Sequence, residues 1–223
     1  MGKRKTRKLN RKRVLLFVFL FSLFSFVIIK ISTSNIKNIY ITGNSFLTDQ
    51  EIIEIARVED YPSSINNLSL KLENRLEKNQ YILSANVTKS KLTSKITIDI
   101  KENYPLFYYQ VENKIVLFNG DKVTEKFTVP TVINLIPNTV YDKFFTKIKK
   151  VDKNILYRIS EIEYAPNDVD EERFFILMND GNYVYLTLNK FLSINKYIEM
   201  VKSFDNKKGV LHLDSGEYFD IFD

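Results

Sequence analysis

Residues 39–53 read IYITGNSFLTDQEII, and this stretch decides the fold of the segment around it. Its first half is a short β-rich run that ends at Gly43-Asn44, a pair typical of a turn. Thr48 and Glu51 then stand at the spacing of a capping box, in which the threonine hydroxyl accepts from the Glu51 N–H and the glutamate side chain reaches back. The stretch therefore predicts a strand, a turn and the start of a helix.

The same kind of patterning continues to residue 102. Leucines recur at every fourth position from residue 68 to residue 76, with charged residues between them, which predicts a second helix. Two strands are expected next, at about 81–89 and at 96–102, and isoleucines alternate with polar residues in the second. The order β-α-α-β-β over residues 35–103 predicts a small sheet with two helices on one face.

An apolar run from Val14 to Ile31 precedes this segment, interrupted only by Ser22, Ser25 and Lys30. As a helix rising ~1.5 Å per residue it spans about 27 Å, close to the hydrocarbon thickness of a bilayer. A core helix of a soluble protein would have a polar face, and this run has none. The run therefore predicts a transmembrane helix over residues 14–31.

The charge distribution orients this helix. Of the chain's 33 lysines and arginines, eight lie in residues 1–13, which contain no acid, and the rest of the chain carries 25 basic against 27 acidic residues. Basic residues stay on the cytoplasmic side, so residues 1–13 are expected inside and residues 32–223 outside. A basic tail could also bind nucleic acid, but a topology signal that contacts anionic lipid is the interpretation we adopt.

A cleaved signal peptide is the alternative interpretation of the apolar run. Its apolar region would usually be about 7–15 residues long and would end in an A-x-A-like cleavage site. The run here is longer, and Ser32-Thr33-Ser34 follows it. We therefore expect an uncleaved anchor.

Residues 104–223 predict a mixed, β-rich domain with flanking helices. Turn signals at Asn119-Gly120, at 179–182 and at Asp214-Ser215-Gly216 each separate two β-rich runs and predict three hairpins. One helix is expected over about 141–160. A second is expected after Asn189, as its cap, and is expected to end at Gly209. The fold class of the whole chain is therefore α+β.

These features together resemble the FtsQ/DivIB family of cell-division proteins. Residues 39–44, Leu47-Thr48 and residues 51–53 look like the opening of a POTRA domain, and residues 96–102 followed by Tyr104-Pro105 resemble its last strand and exit. A basic tail, one anchor, a single POTRA domain and a larger β domain match the family over nearly the whole chain. The expected divisions are a cytoplasmic tail (1–13), a transmembrane helix (14–31), a POTRA domain (35–103) and a β domain (104–223).

The resemblance implies a function at the division septum. Family members are expected to bind FtsL-like and FtsB/DivIC-like bitopic proteins outside the membrane and to help regulate septum formation and septal peptidoglycan synthesis. The family's main contact lies on the last strand of the β domain and the preceding helix, and its D-S-G element matches Asp214-Ser215-Gly216. Ordinary sheet packing is the alternative role for each residue of the implied partner-binding set, which is Leu213, Ser215, Gly216, Tyr218, Phe219 and Ile221.

The sequence offers little to support catalysis. There is no Cys, and the single His, His212, lies in a predicted strand without evident triad or metal partners. Residues 34–37 and 193–196 match S-x-x-K, but the S-D-N and K-T-G elements of penicillin-binding enzymes are absent. The acidic run at 168–172 is typical of a solvated loop. We predict a protein that is not an enzyme, with no cofactor and no metal.

Two other classes of function remain open. One is a membrane-anchored cell-wall enzyme, which would need a catalytic cluster in the folded chain. The other is a transport or biogenesis component that contains POTRA domains. Such proteins usually carry several POTRA copies or a C-terminal β-barrel of alternating strands about 10 residues long, and this chain shows neither pattern.

Overall fold

The computed structural model describes residues 10–32, 35–60, 62–63, 67–90, 94–205 and 207–222. The chain divides into two compact units, Met1–Glu102 and Asn103–Asp223. The predicted cytoplasmic tail lies outside the described residues as far as residue 9, and so does Ser34 of the first S-x-x-K match. The predicted α+β class is confirmed, with an N-terminal apolar helix, a β-α-α-β-β segment and a β-rich C-terminal segment.

The first helix, α1, extends over Arg11–Ser32 and contains the apolar run. Its stretch Arg11–Ile29 is long and apolar enough to cross a membrane, and none of that stretch is buried in the structure. A helix in the core of a soluble protein would bury such side chains, because leaving one large apolar side chain in water costs about 1.5–3 kcal/mol. The apolar surface of α1 is therefore not covered by the described part of the chain.

The predicted β-α-α-β-β order is present in the rest of the first unit. The elements are β1 (Asn38–Thr42), α2 (Asp49–Ala56), α3 (Ser69–Leu76), β2 (Ile82–Ser90) and β3 (Lys95–Glu102). The sheet order is β1-β3-β2, in which β1 runs parallel and β2 antiparallel to β3. Ile52 of α2 and Leu72 of α3 share one buried cluster with Ile98 of β3, so the two helices and the sheet enclose a single core.

Helix α2 begins at the predicted capping box. The Thr48 hydroxyl accepts from the Glu51 N–H at 3.3 Å, and the Glu51 carboxylate accepts from the Thr48 N–H at 2.8 Å. The hydrogen bonds from the Thr48 N–H and then from its hydroxyl lower the pKa of Glu51, because they favour the charged carboxylate. The helix ends at Arg57, whose φ of 56° is left-handed and stops the helical hydrogen bonding.

Glu102 ties the end of β3 to the turn that precedes α2. Its carboxylate accepts hydrogen bonds of 2.8–3.0 Å from the N–H groups of Ser45, Phe46 and Leu47 and from the Ser45 hydroxyl. Burial alone would raise the pKa of Glu102, but these donors stabilise the charged form more strongly, so its pKa lies below the ordinary value.

We expect the change Glu102→Gln to destabilise the protein by roughly 2 kcal/mol near pH 7, because an amide replaces a carboxylate that accepts four charge-assisted hydrogen bonds. The folded-state pKa is lowered, so the contribution is full above the unfolded pKa of about 4.3 and is lost as the pH falls through the folded value. The melting temperatures of the two chains in detergent should differ at pH 7, and the difference should be smaller at pH 3. A difference that is the same at both pH values would contradict this role.

The second unit holds a single nine-stranded sheet. Its strands are β4 (Pro105–Tyr109), β5 (Lys114–Leu117), β6 (Lys122–Val123), β7 (Thr131–Val132), β8 (Ile159–Tyr164), β9 (Arg173–Met178), β10 (Tyr183–Thr187), β11 (Gly209–His212) and β12 (Tyr218–Ile221). Their order is β12-β11-β10-β9-β8-β7-β4-β5-β6. The three predicted hairpins are the antiparallel pairs β5–β6, β9–β10 and β11–β12.

The helices of this unit differ from the two that the sequence predicts. Residues 141–160 do not form one helix: α4 (Asn138–Ile148) ends early, a short α5 (Lys153–Leu156) follows, and β8 begins at Ile159. Between α4 and α5 the Asp152 N–H donates to the Asn195 side chain at 3.0 Å. That N–H is therefore not paired within a continuous helix, and the chain turns there.

The last helical segment starts and ends differently from the prediction. A 3₁₀ helix, Phe191–Lys196, leads into α6 (Tyr197–Ser203), and Lys190 stands at its start without a side-chain cap, so Asn189 is not the cap. Gly209 does not end α6 but opens β11. A Cβ added at Gly209 would collide with the carbonyl oxygen of Asp220 on the neighbouring strand. The glycine therefore allows β12 to approach β11.

One face of the large sheet is covered by these helices. Side chains alternate between buried and partly exposed along β9 and β10, as expected when one face meets a core and the other faces solvent. Phe144 of α4, Phe174 of β9 and Phe191 pack with ring centroids 5.1–5.9 Å apart. The aromatic cluster holds the helices on this face, whereas side chains on the opposite face of β9 and β10 are mostly partly exposed.

Candidate functional site

The strand that carries most of the predicted partner-binding residues lies at an edge of the large sheet. β12 is the outermost strand, and within the described chain it pairs only with β11. The pairing is antiparallel and places Gly209 opposite Ile221, Leu211 opposite Phe219, and His212 opposite Tyr218. An edge strand presents a row of backbone groups that another chain can pair with.

The register identifies which backbone groups face outward. The Phe222 N–H donates to the Lys208 carbonyl oxygen at 2.9 Å, so residue 222 is in a hydrogen-bonded pair with β11. Hydrogen-bonded and non-hydrogen-bonded pairs alternate along an antiparallel ladder. Residues 220 and 218 therefore also direct their backbone groups toward β11, while Phe219 and Ile221 direct theirs to the open edge.

Three of the predicted residues are on β12 itself. Tyr218 and Ile221 are 45% and 47% exposed, and they lie on opposite faces of the strand. Phe219 is partly buried, because its ring stacks on Phe204 at 4.8 Å between centroids. A partner that added a strand here would meet an exposed side chain on each face of the sheet.

The other three predicted residues lie before the strand. Leu213 is completely buried, and its N–H donates to the Tyr185 carbonyl oxygen at 2.7 Å, so its side chain belongs to the core. Ser215 is exposed and Gly216 is partly exposed in the turn between β11 and β12. Five of the six predicted residues are thus at least partly exposed, whereas Leu213 is buried.

Asp214 holds this turn in place. Its carboxylate accepts from the Arg173 Nε at 2.8 Å and from the Ser215 N–H at 2.8 Å. Burial would raise the pKa of Asp214, but the Arg173 guanidinium and the backbone donors outweigh it, so the pKa is lowered. The ion pair joins the turn to β9, and the sequence alone did not indicate it.

His212 lies in this hairpin. Its ring stacks on Tyr218 at 4.4 Å and on Tyr185 at 5.5 Å between centroids. Its Nε2 is 3.2 Å from a carboxylate oxygen of Asp220 and its Nδ1 is 3.6 Å from one of Asp214. Across the described ranges, no group of three or more His, Asp or Glu side chains is placed so that it could hold a metal ion.

Comparisons with known proteins show which proteins the chain resembles. A family model described as a POTRA domain of the FtsQ type matches residues 34–103. DivIB from Bacillus subtilis is 29% identical over 97% of this chain and 86% of its own, and DivIB from Bacillus anthracis is 28% identical over 97% and 85%. Both are named as cell-division proteins. Over nearly its whole length the chain is therefore similar to DivIB cell-division proteins.

Two further DivIB proteins match smaller parts of this chain. DivIB from Listeria monocytogenes is 29% identical over 83% of this chain and 72% of its own. The solved major extracytoplasmic domain of DivIB from Geobacillus stearothermophilus, in its trans isomer, aligns with a TM-score of 0.39 at 20% identity. That alignment covers 48% of this chain and 97% of the solved one.

A buried polar network supports the hairpin formed by β11 and β12. Asn182 is completely buried; its side-chain amide donates to the Tyr197 hydroxyl at 2.8 Å and accepts from the Gly209 N–H at 3.0 Å. The Tyr197 hydroxyl donates in turn to Asp180 at 2.8 Å. Burial, together with Asp180, raises the pKa of Tyr197, so it remains a neutral donor. The network fixes the start of β11 to β10 and α6.

The open face beside the hairpin carries a continuous row of aromatic rings, which the sequence analysis did not single out. The Phe175 ring packs at 4.7 Å on Tyr185, and Tyr185 is followed by His212 and Tyr218 on the next two strands. The Arg173 guanidinium lies 3.8 Å from the Tyr185 ring centroid. Cross-strand ring pairs of this kind stabilise the register of β9 to β12.

Proposed function

We propose that this chain is a single-pass membrane protein of the divisome that binds other division proteins outside the membrane through the free edge of β12. The observation that carries the proposal is the position of β12 at the end of the large sheet, with the Phe219 and Ile221 backbone groups directed away from β11. Similarity to DivIB cell-division proteins, together with the match to the FtsQ-type POTRA model, supports a role in cell division.

We propose α1 as the anchor. The basic residues before the apolar run support a cytoplasmic N-terminus, with the bulk of the chain outside, at the septum. The domain limits proposed are a cytoplasmic tail at 1–13, the membrane helix at 14–31, a POTRA domain at 35–103 and a β domain at 104–223. We propose that the anchor contacts membrane lipid and that the chain does not bind nucleic acid.

The proposed mechanism is addition of a strand from the partner to β12. Backbone hydrogen bonds to Phe219 and Ile221 would supply affinity, and side chains on alternating faces would supply specificity. The proposed contact set is Leu213, Ser215, Gly216, Tyr218, Phe219 and Ile221, in which buried Leu213 acts by holding the strand that precedes the turn. Tethering in one membrane raises the effective concentration of partners that are anchored beside it.

We propose FtsL-like and FtsB/DivIC-like bitopic proteins as the partners, on the basis of the family resemblance. Through them the chain would influence the septal peptidoglycan synthase complex and thereby septum formation, and it would not act as an enzyme. The POTRA domain is proposed to help recruit the protein to the septum.

Affinity capture from membranes tests the edge directly. A chain with Tyr218→Lys and Ile221→Lys should recover the FtsL-like and DivIC-like proteins at least about tenfold less efficiently, because charges replace apolar contacts on both faces of the strand. A chain with Lys126→Glu and Lys147→Glu, at one exposed and one partly exposed position of the same unit away from β12, serves as the control and should capture normally. Equal recovery by the first variant would remove the edge-strand mechanism.

A further inference from the structure

We propose that the outer surface of α3 docks on the anionic phospholipid headgroups of the membrane that holds α1. The proposal rests on the anchoring of α1 but not on the partner-binding edge of β12, which belongs to the other unit of the chain. It assigns a lipid-binding surface, called here the α3 patch, to Ile55, Arg57, Leu68, Leu70, Lys71, Asn74, Arg75 and Lys78.

The α3 patch exposes large apolar side chains. Leu68, which directly precedes α3, is 62% exposed, and Leu70 within α3 is 74% exposed, whereas Leu72 and Leu76 of the same helix are completely buried. With Ile55 they border a shallow groove of about 810 Å³. Clustered exposed leucines with a polar rim are typical of surfaces that bind protein or lipid.

Basic side chains surround these leucines. Arg57, Lys71, Arg75 and Lys78 line the same groove, and none of the acidic residues that the structure describes lines it. Lys71, Arg75 and Lys78 recur at helical spacing, so they lie along one side of α3 and its C-terminal end. The patch therefore combines apolar groups with an excess of positive charge.

The acidic residues of α3 are turned away from the patch. Glu73 accepts from the Val87 N–H at 2.7 Å, and Glu77 accepts from the Ala85 N–H at 3.2 Å. Both glutamates thus pair with the backbone of β2 on the other side of the helix. The exposed acids Glu59 and Asp60 line a different groove. Because these acidic side chains lie outside the α3 patch, the patch carries a net positive charge. It therefore complements anionic lipid and would repel an acidic partner.

The α3 patch lies close to the point where the chain leaves the membrane helix. α1 ends at Ser32, and the step from residue 32 to residue 35 covers at most ~10 Å. Asn35 pairs with Ser63, whose carbonyl oxygen accepts from the Asn67 side chain at 3.0 Å. Leu68 follows directly. The exposed leucines are therefore within reach of the headgroup layer.

We expect the α3 patch to bind lipid in the way that amphipathic helices bind at a membrane surface. Apolar side chains enter the boundary between headgroups and acyl chains, and lysine and arginine attract anionic lipid. Docking would hold the POTRA domain against the membrane and limit the orientations that it adopts about the short connection to α1.

A fluorescence experiment on the full chain tests the proposal. The chain has no Cys, so Asn74→Cys places one polarity-sensitive dye in the α3 patch while the leucines are retained. In nanodiscs that contain phosphatidylglycerol, we expect its emission to shift to the blue and to be quenched by spin-labelled lipid headgroups. In phosphatidylcholine nanodiscs both effects should weaken. A dye at Lys101→Cys, at the other end of β3 from the membrane connection, should show neither effect.

Charge-reversed chains provide the decisive comparison. Lys71→Glu with Lys78→Glu should abolish the dependence on phosphatidylglycerol, whereas Lys126→Glu with Lys147→Glu, an equal change of charge in the other unit, should not. Incorporation of every chain into nanodiscs verifies the anchor independently. The proposal is overturned if the dye at position 74 behaves like the dye at position 101. It is also overturned if the dye shifts without lipid quenching, which would indicate a protein contact.

Discussion

Replacing Ile221 with proline should reduce capture of the FtsL-like and DivIC-like proteins by about tenfold or more, while the β domain stays folded. The Ile221 N–H faces the open edge, so the substitution removes no hydrogen bond between β12 and β11. Proline is tolerated on an edge strand where the missing N–H would face solvent. A partner strand, in contrast, would lose a donor and meet the proline ring.

The chain offers a matched control at the opposite edge of the same sheet. Lys122 lies on β6, the other terminal strand, and the Asp121 carbonyl oxygen accepts from the Leu117 N–H, so by alternation the Lys122 N–H also faces outward. Lys122→Pro should leave both capture and the melting temperature nearly unchanged, apart from the loss of an exposed ion pair with Glu112. If the two proline variants capture equally, β12 is not the binding edge.

Replacing Asn182 with alanine should lower the stability of the β domain by ~3 kcal/mol and its melting temperature by roughly 10 °C. The side-chain amide is completely buried and holds the Gly209 N–H and the Tyr197 hydroxyl. Its removal leaves the Gly209 N–H, a buried backbone donor, without an acceptor. Thermal unfolding of the full chain in detergent, followed by circular dichroism, measures the change.

Tyr197→Phe is the control for this network. It removes the hydroxyl but keeps the ring and the Asn182–Gly209 hydrogen bond, so about 1–2 kcal/mol should be lost. The Asn182 variant should also lose affinity for the partner, because Gly209 begins β11 and β11 positions β12. An Asn182→Ala chain as stable as the parent would show that the network does not support the hairpin.

The first unit could be predicted from local pattern alone. The capping box at Thr48 and Glu51 and the alternating isoleucines of β3 each encode their element within a few residues, and both are present in the structure. The role of Glu102 could not be predicted, because its partners at 45–47 are distant in sequence. A glutamate at the end of a strand carries no local signal for a hydrogen-bonded turn elsewhere.

The helices of the β domain were less predictable. Apolar periodicity continues from α4 through Ile155, but the Asn195 side chain takes the Asp152 N–H and the helix is interrupted. The sequence suggested Gly209 as the residue that ends the last helix. In the structure Gly209 instead allows β11 to approach the Asp220 backbone closely, a role that depends on strand pairing. Tertiary contacts override local preference at both places.

The strand that carries the candidate site could be predicted, but the surroundings of its residues could not. The last predicted strand lies at the edge of the sheet, while the predicted residue Leu213 is buried, because residue alternation places it on the covered face. The network around Asn182 was missed because its sequence, Asn179–Asn182, is typical of a turn. Nothing in that run indicates that one amide is buried and paired with residues 15 and 27 positions away.

Amide hydrogen exchange, read residue by residue by NMR, tests the central claim most directly. The full chain would be measured alone and after co-reconstitution with its FtsL-like and DivIC-like partners. The Phe219 and Ile221 amides should exchange rapidly in the chain alone and become protected in the complex, because a partner strand would accept their hydrogen bonds. If both amides still exchange rapidly in a verified complex while protection develops elsewhere, the β12 edge does not bind the partner.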